Sequence, residues 1–181
     1  SLLAKEEMGN LYIYYSIISF FSLVFINPIG QYVNRQIHTW NTEGSISEKF
    51  QKLNLYFILS SLLCFLVVLF LGVFYDFLSK ESLILSALAC SLSLYFNSWI
   101  GTSIPTLNML GYWKSFVILS VLNTFGCLLM AFSSIQLMGS FGIYWLVGQM
   151  VLGQVIFITF SVWFLQKKIE SPFNISDCFS M

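Results

Sequence analysis

Three amides and a guanidinium stand together where a long apolar stretch ends: Asn27, Gln31, Asn34 and Arg35. With Tyr12, Ser16 and Ser19 upstream, the three amides recur at steps of three or four residues, or multiples of these, and Arg35 stands just past the last of them. That spacing draws one polar stripe along an otherwise apolar helix. Amides both donate and accept hydrogen bonds, and a guanidinium grips a phosphate or carboxylate through two parallel N–H groups. The chemistry on offer is recognition of a hydroxylated or phosphorylated ligand. Pro28 has no N–H, so it is expected to kink the helix and let backbone face a cavity. Two readings of these four residues stand side by side. They line a cavity that meets a polar substrate, or they pack and anchor one helix end.

A second stripe comprises Ser86, Cys90, Ser93, Asn97 and Gly101. Small side chains let helices approach and hydrogen-bond across the contact, so Ser86, Cys90, Ser93 and Gly101 read as interhelical glue. Asn97, Asn123, Gln149 and Gln154 admit both roles. Asn97 and Asn123 join Arg35, Asn27, Gln31 and Asn34 as candidate substrate contacts.

Catalysis finds little to work with. His38 is the one histidine, and a metal site needs several ligands, so no metal is expected. Cys64, Cys90, Cys127 and Cys178 fit no zinc spacing and read as small packing side chains. No phosphate loop, nucleophile elbow or metalloprotease motif occurs, so neither a cofactor nor an enzyme activity is expected. Asn174-Ile175-Ser176 matches a glycosylation sequon, but the topology below places it in the cytoplasm, where it is a chance match. With eight basic and eight acidic residues and no basic run, nucleic acid is not an expected partner.

The elements that hold these residues follow from charge. Between Lys114 and Lys167 lie 52 residues without a charged side chain, and between Glu81 and Lys114 another 32. A chain 57% hydrophobic and 9% charged cannot cover a water-facing surface. An uncharged apolar stretch of ~20 residues crosses a bilayer as a helix. The fold class is therefore all-α, a polytopic transmembrane helix bundle; the apolar runs are continuous, where a β-barrel would alternate. Cutting at the polar punctuation gives five spans: 11–33, 55–77, 82–104, 115–137 and 142–165. Each is roughly 34 Å long at ~1.5 Å per residue. Residues 1–168 then form the bundle, and 169–181 a cytoplasmic tail or linker. Asp76, at the very end of 55–77, is the only Asp, Glu, Lys, Arg or His within a span, which argues against a proton relay or voltage sensor in this segment.

Five spans put Arg35, Lys49, Lys52, Lys114, Lys167 and Lys168 on one side and only Lys5 and Lys80 on the other. The positive-inside bias places the 34–54 loop, the 105–114 loop and the C-terminus in the cytoplasm. Tyr32, Tyr56, Tyr112, Trp113 and Trp163 then lie at the inner membrane edge. The chain opens on Ser1, and Lys5, Glu6 and Glu7 before the first apolar run are unlike a signal peptide. It is expected to be a piece of a longer protein.

Three segments carry a family resemblance. Leu3-Ala4-Lys5-Glu6-Glu7-Met8-Gly9-Asn10-Leu11-Tyr12 resembles the segment joining the first two helices of polysaccharide and O-antigen flippases. These belong to the multidrug/oligosaccharidyl-lipid/polysaccharide flippase superfamily. Asn27-Pro28-Ile29-Gly30-Gln31-Tyr32-Val33-Asn34-Arg35, followed by His38 and Trp40, resembles the end of their second helix. Leu107-Asn108-Met109-Leu110-Gly111-Tyr112-Trp113-Lys114 is similar to the inner loop before their fifth helix.

The resemblance runs from Leu3 to Lys168 and implies helices two to six of a transporter with about twelve. It implies a bacterial inner-membrane exporter that moves lipid-linked oligosaccharide or polysaccharide repeat units by alternating access. The expected partners are that lipid-linked oligosaccharide, membrane lipids and other membrane proteins of polysaccharide and lipopolysaccharide assembly. Arg35 with Asn27, Gln31 and Asn34 would meet the sugar diphosphate head group. The alternatives are a multidrug antiporter half, which intramembrane acids would mark, and a membrane polymerase or ligase of glycan assembly. The latter would show a large external loop, whereas 76–81 and 138–141 are short. A small accessory membrane subunit is a third.

Overall fold

Phe50, Leu53, Phe57, Ser60, Cys64 and Val68 recur at steps of three and four, and all six are buried on one helix face. In the computed structural model, which describes residues 5–75 and 80–138, such periodic runs fold into helices, and no strand occurs among the described residues. A first continuous run comprises α1 (Lys5–Phe21), a π-helical turn (Ser22–Ile26) and α2 (Asn27–Thr42). It is followed by α3 (Ile46–Tyr75), α4 (Lys80–Met109) and α5 (Trp113–Met138). Three stretches are long and apolar enough to cross a membrane: Met8–Thr42, Ile46–Phe74 and Leu83–Met109. The apolar helix Trp113–Leu129 is shorter. The expected span 142–165 and the tail 169–181 lie outside the described residues.

Two expected loops are corrected. The 34–54 segment is a helical hairpin whose connection is only Glu43-Gly44-Ser45. Charge misled the expectation, because Ile37, Trp40, Phe50 and Leu53 keep the apolar rhythm and are buried. The charges between them point away; Lys52 pairs with Glu48 one turn back at 2.6 Å. The 105–114 loop likewise shrinks to Leu110-Gly111-Tyr112, since α4 continues through Pro105 to Met109.

Both connections are the same device. At the first, Ser45 N–H donates to the Trp40 carbonyl at 3.0 Å and Gly44 N–H to Asn41 at 3.3 Å. At the second, Tyr112 N–H donates to Leu107 at 2.9 Å and Gly111 N–H to Asn108 at 3.1 Å. This closure needs a left-handed residue, and Gly44 and Gly111 supply it with φ of 68° and 85°. The next residue then opens the following helix, its carbonyl accepting from Lys49 or Phe116. Because α3 and α4 pair antiparallel between them, both turns lie at one end of the bundle.

α4 is the centre, touching α1, α2, α3 and α5. Small side chains make that possible: Ser86, Ala87, Cys90, Ser93, Ser98, Thr102, Ser103 and Thr106 are all buried on it. Tyr14 of α1 meets Ser86 in a hydrogen bond of 2.9 Å. Trp99 packs on Phe50 and Phe57 of α3 at centroid distances of 6.0 and 5.6 Å. Ser86, Cys90 and Ser93 thus sit in helix contacts, whereas Gly101, expected with them, is exposed.

Candidate functional site

The buried face of the first long helix reads Tyr14, Ile18, Phe21, then Ile26, Val33, Ile37 and Trp40. Its steps fit an α-helix except the one from Phe21 to Ile26, which holds one residue too many. In an unbroken α-helix an extra residue would turn everything beyond it by about 100°. The π turn absorbs that residue: Asn27 N–H reaches back to the Ser22 carbonyl, five positions away. Tyr56 of α3 braces the turn, donating its hydroxyl to the Phe25 carbonyl at 2.9 Å. Pro28 follows in the first turn of α2, inside the continuous run, and has no N–H to return to the preceding turn.

The same correction aligns the polar stripe. Tyr12, Ser16 and Ser19 above the π turn, and Asn27, Gln31 and Arg35 below it, are all exposed. They form one face directed away from the helices packed behind. Ser16 spends its hydroxyl on the Tyr12 carbonyl at 2.8 Å, so the half below the turn is the better equipped for a ligand. Asn34 differs from its neighbours. It is half-buried, and its Oδ1 is shielded from solvent without a hydrogen-bond partner among the described residues. A buried acceptor left so costs about 1–3 kcal/mol.

Asn97 lies on the adjoining helix α4 and is exposed. The first half of α4 exposes Ile84, Leu85, Leu88 and Leu92, and its second half exposes Met109 with Asn97, Gly101 and Asn108, the last three on the opposite side of the helix from the leucines. Pro105 also has no N–H to offer the Gly101 carbonyl one turn back. Asn123 stands apart on α5, half-buried, its Oδ1 facing the Cys127 thiol at 3.5 Å within the same helix. The structure thus gathers Asn27, Gln31 and Arg35 on one face, sets Asn97 on the next helix and leaves Asn123 elsewhere. Gln149 and Gln154 lie outside the described residues. His38 is exposed, and no metal-binding group of three side chains occurs among the described residues.

One polar residue of the bundle interior escaped the sequence reading. Asn54, assigned to a loop, sits on α3 and accepts from Tyr95 Oη at 2.8 Å and Trp99 Nε1 at 3.3 Å. Its signal was the apolar rhythm of Phe50, Leu53 and Phe57, which places it on a helix. Asn54→Leu removes the acceptor that both donors share and is expected to cost about 1–3 kcal/mol. Thermal unfolding in detergent measures the loss. Tyr95→Phe should cost less in the Asn54→Leu background than alone; equal costs would mean the bond carries none of the effect.

No protein-family model matches the chain, and no curated protein or solved structure does either.

Proposed function

We propose that the chain is one lobe of a membrane transporter of the polysaccharide and O-antigen flippase kind. On this reading five spans, helices two to six of about twelve, flank a central cavity in a bacterial inner membrane. A lipid-linked oligosaccharide crosses there by alternating access, and no bond is made or broken. The observation that carries the reading is the outward stripe of Asn27, Gln31 and Arg35 on a helix otherwise apolar enough to cross a membrane. Hydrocarbon offers an amide no partner, and such a group left unsatisfied costs several kcal/mol. A face that directs two amides and a guanidinium away from its own bundle therefore fits water and a polar ligand better than lipid. Asn97, Gly101 and Asn108 on the neighbouring helix extend the same character. The end bearing both glycine turns, with Lys49, Lys52 and Lys114, would be the cytoplasmic one.

Thiol accessibility tests this reading. In a cysteine-free background, Asn27→Cys, Gln31→Cys and Arg35→Cys should react with a small water-soluble maleimide. Leu62→Cys and Leu66→Cys, on the exposed apolar side of α3, should remain inert. Stripe positions as unreactive as Leu62→Cys would place the stripe in lipid and end the cavity reading. For orientation, an impermeant reagent added to intact cells should mark Ser79→Cys and spare Ser47→Cys, and the reverse pattern would invert the topology.

A further inference from the structure

Two thiols lie deep in the contact between α3 and α4. Cys64 and Cys90 each have no exposed surface, and neither is in a disulfide. The antiparallel register of this pair is set by Phe57 against Trp99 towards one end. Towards the other, any Cβ at Gly72 would fall on the Leu83 side chain. About two turns in from either contact, the register brings Cys64 opposite Cys90. Small buried side chains lie near them, Ser60 on α3 and Ala87 on α4, together with the larger Val68 and Leu94 one turn on. Close approach of the two backbones is what a disulfide between helices requires, since its Cα atoms must come within about 4.4–6.8 Å.

We propose that Cys64 and Cys90 form a cross-helix dithiol that a lipid-soluble two-electron oxidant closes to a disulfide, pinning α3 to α4. A charge at this site would be costly, so the chemistry that suits it runs between neutral species. Molecular iodine is an oxidant of that class. One thiol sulfur attacks iodine, forming an S–I bond and releasing HI. The second sulfur displaces iodide from the first, the S–S bond forms, and the second thiol proton leaves as another HI. Two thiols are oxidised and one iodine molecule is reduced to two iodides. The inference is independent of the transport reading, because it rests on the register of two helices and on no ligand.

The test uses the full chain in its own membrane, with Cys127→Ser and Cys178→Ser so that only the pair remains of the four cysteines. After stoichiometric iodine, denaturation and N-ethylmaleimide, the intact mass should show no maleimide additions and a loss of two hydrogens. Dithiothreitol before alkylation should restore two additions. Two additions surviving oxidation would mean the thiols do not face each other and would overturn the proposal, as would a disulfide joining two chains. Peptide mapping of the oxidised wild-type chain answers the same question should the double variant fold poorly. The peptide holding Cys64 should be linked to that holding Cys90, and its linkage to Cys127 or Cys178 instead would reject the assignment.

Discussion

Arg35→Ala is expected to abolish surface glycan when introduced into the transporter proposed above, while the protein stays inserted and abundant. The physical basis is the position of this cation, exposed at the lower end of a stripe whose other members are neutral amides. A hydrogen bond to a charged group contributes about 1.5–3 kcal/mol, which is roughly a 10- to 150-fold change in affinity. Asn27→Leu and Gln31→Leu remove neutral bonds and should reduce export by a smaller factor. Arg35→Lys separates two roles. An arginine that only reaches to lipid phosphates is replaced by lysine without loss, since both hold a cation at the interface. An arginine that grips a diphosphate through its planar fork is not, because an ammonium lacks the paired geometry. Complementation of a flippase-null strain by Arg35→Lys at wild-type level would remove Arg35 from the substrate site and leave it an anchor.

The second large effect concerns register. Inserting one alanine after Phe25 should reduce folded protein at least tenfold, whereas deleting Val24 should leave it near wild type. The asymmetry follows from the π turn, which already holds one residue more than an α-helix needs. Deletion converts it to plain α-helix and keeps Val33, Ile37 and Trp40 against their partners. Insertion rotates these three side chains, now almost fully buried, by about 100° away from the contact. Each that leaves forfeits about 1–3 kcal/mol of packing, several in total, which approaches the whole stability of a typical domain. The yield of monodisperse protein in detergent measures both variants. Deletion as damaging as insertion would show that the π turn is required for itself and is not merely a register correction.

The balance between chain and fold can be read residue by residue. Helical runs apolar enough for a membrane follow from composition alone, because lipid accepts only elements that pair their own backbone. The polar stripe was legible in part: Tyr12, Ser16, Ser19, Asn27 and Gln31 are exposed as their spacing suggested, whereas Asn34 is half-buried and Arg35 is exposed in its place. Gly111 lay inside the expected 105–114 loop, but its left-handed turn comes from the structure. Charge, by contrast, was a poor guide to helix ends at Glu48 and Lys52, where surface charges ride on a helix whose other face stays buried.

Only the tertiary structure decided which way each face points. Periodicity says that Asn27, Gln31 and Arg35 share a side, and the packing of α3 and α4 behind them turns that side outward. The sequence places Phe21 and Ile26 five residues apart, but that spacing became a π turn because Tyr14 and Trp40 are held to one surface at both ends of the helix. Asn54 shows the same division in one side chain. Its amide is local, while the Tyr95 and Trp99 donors that satisfy it come from another helix and exist as partners only once α3 and α4 pair. Rotation of a helix about its own axis costs nothing until a neighbour is present, so orientation and hydrogen-bond partnership belong to the assembled bundle.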